Sequence, residues 1–246
     1  MMRQSLEILP WDSEFFGLPV GRILSNRLNQ ESVTALLGAA QQSGLRCLYF
    51  EANPDDPATV ATVEKHGFSL VDVRVVLEHP FQQRPAPVPR YPIPLELVVT
   101  GPREQDLPRL RQIAAQIGYT SRFTFDPNFG AEVGERLYRR WIENACQGWA
   151  DKVLVARWGE QGEAVGLISC TLRERVAHIQ LAGVHRDYRQ RGAGTGLVQA
   201  ALDWARDQQA QQMEVVTQAR NVPAQRLYQQ MGFFTRSMTL YYHKWL

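Results

Sequence analysis

A strand-like apolar segment that runs into a glycine-rich turn constrains this chain more than any other feature. The segment ends Leu181-Ala182-Gly183-Val184-His185, and an amphipathic helix with apolar residues from Leu197 to Trp204 follows the turn. The turn region contains three arginines and three alternating glycines, namely Arg186, Arg189, Arg191, Gly192, Gly194 and Gly196. Because glycine permits close backbone approach and the first helical turn leaves its N–H groups unpaired, this pattern predicts a pyrophosphate-binding turn.

Two other interpretations of this turn fit the sequence less well. A dinucleotide-binding fingerprint requires an early strand and an acidic residue that closes the next strand. Here Glu214 opens the next strand, and the glycines come late in the chain. A flexible capped turn would explain neither the arginines nor the helix that follows.

Positions 181–194 resemble the Arg-x-x-Gly-x-Gly signature of the GCN5-related N-acetyltransferase (GNAT) family, with Arg189, Gly192 and Gly194 in the signature positions. Arg186 departs from the family pattern, in which a proline is usual. The resemblance implies an α/β fold with a mixed, splayed central sheet flanked by helices, and acetyl-CoA as cosubstrate. The implied cofactor-binding residues are Ala182, Val184, Tyr188, Arg189, Gln190, Arg191, Gly192, Ala193, Gly194, Asn221 and Arg226.

Composition limits the class of protein. The 246 residues are 44% hydrophobic with a net charge of +2, which argues against a broad nucleic-acid-binding surface. No apolar run reaches the roughly 18 residues that a membrane span needs. The cysteines stand singly, without metal-ligand spacing, and indicate a reducing compartment. We therefore expect a cytoplasmic protein without a metal, a membrane or a nucleic-acid partner.

Six prolines within residues 80–94 predict an extended linker between two domains. The predicted domains are residues 1–79, a smaller α/β domain, and residues 95–246, the acetyltransferase domain. In the second domain, hydrophobic periodicity predicts helices at 104–117, 130–146, 192–208 and 221–231, strands at 152–158, 164–173, 176–185 and 212–218, and a strand pair within 233–244.

The first domain contains a faint repeat of the second and resembles half of a GNAT fold. A helix, a strand, a helix that ends in Gly67-Phe68 and a further strand parallel the elements around Gly232-Phe233. Val63 occupies the place of Tyr228, and the repeat has no arginine and glycine turn. We expect this domain to shape the acceptor pocket and not to bind coenzyme A, although Gly-Phe is also a common helix stop.

The segment Asn221 to Tyr228 resembles the family's Asn-x-x-Ala-x-x-x-Tyr helix. The resemblance implies that Asn221 contacts the pantetheine arm and that Tyr228 protonates the departing sulfur. A phenol with a pKa of about 10 is protonated at neutral pH and can donate. The alternatives are a core tyrosine at this position and, for Arg226, a solvated surface charge.

The general base has several candidates. They are Asp72, Glu51, His178 and His185, and the amine could also arrive already neutral. Asp72 is preferred, acting directly or through a water molecule, because the resemblance to acetyltransferases of dTDP-linked amino sugars implies a carboxylate at this position.

Blocks in both domains resemble acetyltransferases that act on dTDP-linked amino sugars. These blocks lie at 11–17, 67–71, 121–123, 138–145 and 191–194, whereas residues 124–130 differ. The resemblance implies an acceptor of the dTDP-4-amino-4,6-dideoxyhexose type and a homodimer. Arg122, Phe123 and Tyr119 would supply a cation and aromatic faces for it, with Trp11 and Phe16 as further candidates.

Two other functions remain open. One is acetylation of a different amine, such as an antibiotic, a polyamine or a protein terminus. The other is a non-catalytic coenzyme A sensor, which the presence of both Asn221 and Tyr228 disfavours.

Overall fold

The computed structural model describes residues 6–81, 92–130 and 132–246. Its strands are β1 (Leu6–Ile8), β2 (Val20–Ile23), β3 (Cys47–Ala52), β4 (Ser69–Pro80), β5 (Leu97–Thr100), β6 (Lys152–Trp158), β7 (Ala164–Arg173), β8 (Val176–Val184), β9 (Gln212–Gln218) and β10 (Phe234–Trp245). Its helices are α1 (Pro10–Phe16), α2 (Gln30–Gln42), α3 (Pro57–Lys65), α4 (Leu107–Ala115), α5 (Arg122–Phe125), α6 (Val133–Asn144), α7 (Ala193–Asp207) and α8 (Val222–Gln230).

The chain divides into two compact units. The N-terminal unit comprises Met1–Arg74, Phe125–Phe129 and Met238–Leu246, and the larger unit comprises Val75–Thr124 and Gly130–Ser237. Each unit has its own cluster of buried apolar side chains. Most of the predicted linker, residues 82–91, lies outside the described residues, so the boundaries drawn from the sequence stay a prediction.

In the N-terminal unit the strand order is β1-β2-β3-β10, with a parallel pair between β2 and β3 and antiparallel pairs on either side. β3 is buried at five of its six positions, which explains its nearly continuous apolar sequence. The helix α2 begins at Asn29, whose side chain accepts from the N–H of Ser32, and packs Val33, Leu36 and Ala40 into the core.

The larger unit has the strand order β4-β9-β8-β7-β6-β5. β7 is buried over eight consecutive residues because helices cover both faces of the sheet. A Cβ at Gly183 would lie 2.3 Å from Ile117, just beyond α4, whereas a Cβ at Gly166 would lie 2.8 Å from Leu197 of α7. These glycines therefore let the two helices pack closely on opposite faces.

The repeated helix ends predicted from the sequence share their local structure. After α3, Gly67 has a φ of +74° and the N–H of Phe68 donates to Val63 at 3.1 Å. After α8, Gly232 has a φ of +86° and the N–H of Phe233 donates to Tyr228 at 3.0 Å. Both chain segments run in the order helix, strand, helix, strand, so the repeat extends beyond the helix stop itself.

Most predicted elements are confirmed within a few residues, with two corrections. The predicted terminal strand pair is wrong, since Phe234–Trp245 is one continuous strand. This segment contains no glycine, proline, asparagine or aspartate that would favour a turn. The helix predicted at 104–117 begins as a 3-10 turn and becomes α4 at Leu107.

A buried polar cluster joins residues 125–129 to β10 inside the N-terminal unit. The carboxylate of Asp126 lies 2.7 Å from Nδ1 of His243 and accepts from Nε1 of Trp245 at 2.9 Å. The ring of Phe129 packs against both of these side chains. Burial alone would raise the pKa of Asp126, but the hydrogen bonds outweigh it and lower the pKa to about 2.

The substitution Asp126→Asn should lower the free energy of unfolding by about 2 kcal/mol at pH 7, because the folded carboxyl has a pKa of about 2 against an ordinary 3.8. A depressed pKa stabilises the fold above the unfolded value, and that contribution fades as the pH falls, to about half near pH 3. Urea denaturation at the two pH values measures the difference.

The matched control is Asp55→Asn, which changes an exposed aspartate of the same unit. It should alter stability little at either pH. A deficit of Asp126→Asn that stayed constant between pH 7 and pH 3 would show that the ionised carboxylate is not the stabilising group.

Candidate active site

The strands β8 and β9 diverge in the middle of the larger unit. Ser169 pairs with Leu181 and Cys170 pairs with Ile179, so Gln180 is the extra residue of a β-bulge. The parallel pairing of β8 with β9 extends from Val176 to Ile179. Beyond it, β8 continues to Val184 and the two strands enclose a wedge whose walls carry backbone polar groups.

The glycine-rich turn lies at the end of β8 and starts α7. Gly192 is the N-cap residue with a φ of +82°, and a Cβ there would lie 2.6 Å from the carbonyl oxygen of Pro92. Gln190 also has a positive φ, of +61°, which is uncommon for a residue with a side chain. The turn thus presents the first N–H groups of a 15-residue helix, together with the positive end of its dipole.

The second wall of the wedge is α8. Asn221 begins this helix by accepting from the N–H of Ala224 at 3.4 Å, and Pro223 stands in its first turn. The cap fixes the helix start, seven residues before Tyr228. A Cβ at Gly194 would lie 3.1 Å from Leu227, so α7 and α8 meet closely here.

A cavity of about 500 Å³ fills the wedge, and we call it the wedge cavity. It brings together ten residues that the sequence predicted for the site: Tyr119, Ala182, Val184, Arg189, Gln190, Gly192, Gly194, Asn221, Arg226 and Tyr228. Backbone from a strand end, a helix start and an aromatic hydroxyl thus face one space.

Tyr228 is suited to donate a proton in this cavity. The residue is only 5% exposed, and burial, followed by the neighbouring Cys170, raises its pKa. Its ring packs 5.5 Å from that of Phe233, which fixes its orientation. Among the residues that the structure describes, none accepts a hydrogen bond from its hydroxyl. The phenol therefore stays neutral and its proton is available to a ligand.

Several predicted site residues do not line the wedge cavity. Ala193 is buried in the core, and the guanidinium of Arg191 lies 5.7 Å from the ring of Tyr188. The guanidinium of Arg122 lies over the ring of Phe123, which is itself buried. The roles assigned to these residues stay predictions.

The base candidates have different surroundings. Asp72 is buried in the N-terminal unit and accepts from the N–H of Val73 at 2.9 Å, while Glu51 of the same unit lies 3.0 Å from Arg74. His178 lies 3.8 Å from Glu214. The choice of Asp72 as base stays a prediction.

His185, at the entry to the turn, has mainly a structural setting. It is 8% exposed and its ring caps the short turn Arg186–Tyr188 through the N–H of Asp187. Burial is the largest cause that lowers its pKa, and the positive charge of Arg109 adds to it.

One wall of the wedge cavity was not predicted from the sequence, namely the segment that follows α4. Gln116, Ile117 and Thr120 line the wedge cavity from the segment after this helix. The available signal was Gly183, since a glycine inside a strand marks a place where another group approaches the backbone closely.

Two general features of the described residues bear on the chemistry. Nowhere in ranges 6–81, 92–130 and 132–246 do three or more His, Cys, Asp or Glu side chains gather as metal ligands would. None of the helices in these ranges is long and apolar enough to span a membrane.

Known proteins resemble this chain in sequence and in fold. The acetyltransferase (GNAT) family model matches residues 119–233. The chain is 29% identical over 232 residues to the dTDP-fucosamine acetyltransferase of Escherichia coli O6:H1, covering 94% of each protein. It is 26% identical over 146 residues to the Bacillus subtilis spore coat polysaccharide biosynthesis protein SpsD, covering 59% of this chain and 50% of that protein.

The fold comparison covers almost the whole chain. A GCN5-related N-acetyltransferase from Sphaerobacter thermophilus superposes with a TM-score of 0.64 at 14% identity, over 98% of this chain and 76% of the other. The predicted fold class is confirmed.

The sequence predicts that this turn binds coenzyme A. On that prediction Gly192→Ala should weaken the binding by about 10-fold, because a left-handed φ disfavours a side chain and the new Cβ would collide with Pro92. Calorimetric titration with coenzyme A measures the change. Gly130→Ala is the matched control, since Gly130 has a φ of +81° and open space around its Cβ position. Equal losses in both variants would contradict the importance of the turn.

Proposed function

We propose that this chain, a member of the GNAT acetyltransferase family, moves an acetyl group from acetyl-CoA to the amino group of a dTDP-4-amino-4,6-dideoxyhexose. The observation that carries this proposal is the wedge cavity, in which the strand end at Ala182, the turn at Gly192 and the hydroxyl-bearing Tyr228 face one space. Transfer from a thioester to an amine requires a positioned carbonyl group, an N–H donor for the oxyanion and a proton donor for the thiolate, and these groups can supply them.

Acetyl-CoA, the acetyl carrier, would bind with successive parts of the molecule along the walls of the wedge cavity. Its pyrophosphate suits the N–H groups and the positive helix end after Gly192. Its pantetheine arm would then pair with the edge of β8 past Ile179, which β9 leaves open. This arrangement leads the thioester from the turn towards the inner end of the wedge.

The reaction balances with groups of this chain. The neutral amine attacks the acetyl carbonyl carbon, and a backbone N–H in the segment from Ala182 to Val184 would stabilise the oxyanion that forms. The carbon–sulfur bond then breaks, and the hydroxyl of Tyr228 would give its proton to the thiolate. The proton lost by the amine would pass to a base, for which Asp72 is our assignment, or to water.

The relatives support a sugar amine as the acceptor. The protein that matches over 94% of this chain is named for dTDP-fucosamine, and the second relative is named for spore coat polysaccharide biosynthesis. The first of these likenesses spans both units, so it includes the part outside the family match at 119–233. A cytoplasmic location and a homodimer stay predictions from the sequence.

A thiol-release assay with acetyl-CoA and a panel of amines tests this proposal. We expect turnover with a dTDP-4-amino-4,6-dideoxyhexose and much less with an aminoglycoside, a polyamine or a peptide terminus. Turnover confined to one of the other amines would refute the acceptor assignment. Binding of acetyl-CoA without any turnover would favour a sensor.

Replacing the acid gives a second test. Tyr228→Phe should lower kcat by about 100-fold, because general acid catalysis contributes on this scale, while the affinity for coenzyme A changes little. Steady-state kinetics and calorimetry separate the two effects. Tyr138→Phe, at another buried tyrosine of the same unit that does not line the wedge cavity, is the control and should retain its kcat. An unchanged kcat in Tyr228→Phe would exclude the acid role.

A further inference from the structure

A smaller hollow of about 320 Å³ lies next to the wedge cavity, and we call it the side pocket. It is lined by Ala115, Gln116, Gly118, Tyr119, Thr124, Glu135, Arg186 and Arg189. Gln116, Tyr119 and Arg189 line both spaces, so the two are neighbours across a shared wall.

The side pocket is built from close packing that its glycines permit. A Cβ at Gly134 would lie 2.3 Å from the hydroxyl of Thr124 and 2.7 Å from the carbonyl oxygen of Gly118. The hydroxyl of Thr124 donates to that same carbonyl at 2.8 Å. Backbone contact between the turn after α4 and the helix α6 therefore fixes one side of the side pocket.

A hydrogen bond over 70 residues of sequence fixes the other side. The backbone N–H of Arg186 donates to Oε1 of Gln116 at 2.9 Å. A proline at position 186 would have no N–H and could not make this bond. The bond ties the glycine-rich turn to the end of α4, which also carries Ile117 into the wedge cavity.

The charges of the side pocket favour an anion. The Arg186 side chain is 75% exposed, and its nearest carboxylate, Asp187, lies 3.6 Å away and is 67% exposed, so water screens this pair. Arg189 donates through Nε to the carbonyl oxygen of Val184 at 3.1 Å, which orients its guanidinium. The carboxylate of Glu135 is balanced by Arg139 at 3.0 Å.

The pocket also offers an aromatic face. Tyr119 is 56% exposed although it is a large ring, and it lines both spaces. An exposed ring beside two guanidinium groups suits a ligand that combines a flat base with phosphate. Nucleoside phosphates have this combination.

We propose that the side pocket binds the nucleoside diphosphate of the acceptor, with Arg186 on the phosphates and Tyr119 on the base. Arg189, which the family resemblance gives to coenzyme A, lies on the wall that the two spaces share. This inference rests on the proposed function and places the sugar across the shared wall, in the wedge cavity with Tyr228. The sequence assigned the phosphates to Arg122, which lines neither space. The geometry assigns them to Arg186 in its place.

The same chemistry occurs at the nucleotide end of coenzyme A, so the experiment uses two probes. Calorimetry would measure the affinity of the full chain for dTDP and for adenosine 3′,5′-bisphosphate. Arg186→Gln should weaken dTDP binding by about 10-fold, as expected for the loss of a charged hydrogen bond, and leave the bisphosphate affinity unchanged. The control is Arg140→Gln, at an exposed arginine of α6 that lines neither space, and it should bind both probes normally.

The opposite pattern overturns the proposal. If Arg186→Gln weakened only the bisphosphate, the side pocket would belong to the carrier, and if it weakened neither probe, Arg186 would have no binding role. Kinetics distinguish this failure from failure of the proposed function. An enzyme that acetylates a dTDP-amino sugar with the same acceptor KM in Arg186→Gln would refute the side pocket alone. Binding of dTDP without turnover of any dTDP-amino sugar would refute the function alone.

Discussion

The divergence of β8 from β9 is the constraint on which the rest of the site depends. A strand inside a sheet normally satisfies its backbone groups on both edges, and β8 does so only as far as Ile179. The bulge at Gln180 shifts the register against β7 by one residue, and the strand end therefore faces a cavity. Because this edge is main chain, a ligand that pairs with it is recognised by its own amide pattern, which a pantetheine arm provides.

In the proposed mechanism, backbone groups around this wedge would hold acetyl-CoA, and one side chain would supply the chemistry. The turn at Gly192 offers N–H groups and a left-handed φ, so the binding proposed there would depend little on side chains. The two repeated helix ends show that the side chain, and not the backbone, makes the difference at position 228. The same glycine stop follows Val63 in one unit and Tyr228 in the other, and only the second places a hydroxyl in a cavity. A phenol with a pKa raised by burial can donate a proton and does not ionise at neutral pH.

The sequence predicted those parts of the structure that depend on neighbouring residues of the chain. Periodicity gave β7 and α7, and the turn at 189–194 was recognisable because backbone approach demands glycine at particular positions. Contacts between distant residues had no such signal. The bond from Arg186 to Gln116 spans 70 residues and the contact of Asp126 with His243 spans 117, and neither partner carries a pattern that points to the other. The single strand β10 was misread because an expected turn was imposed on a segment without turn residues.

This difference between local and distant contacts also separates the two substrates that we propose. The proposed acetyl-CoA side of the site is built largely by consecutive residues of one strand, turn and helix, so a short motif is enough to identify it. The proposed acceptor side, the side pocket, depends on where the segment after α4 meets α6 and the turn, through Gly118, Gly134 and Gln116. Changes in that segment can alter the shape of the side pocket without touching the wedge cavity's backbone. Acceptor choice can therefore vary among proteins that share this fold, while the acetyl donor stays the same.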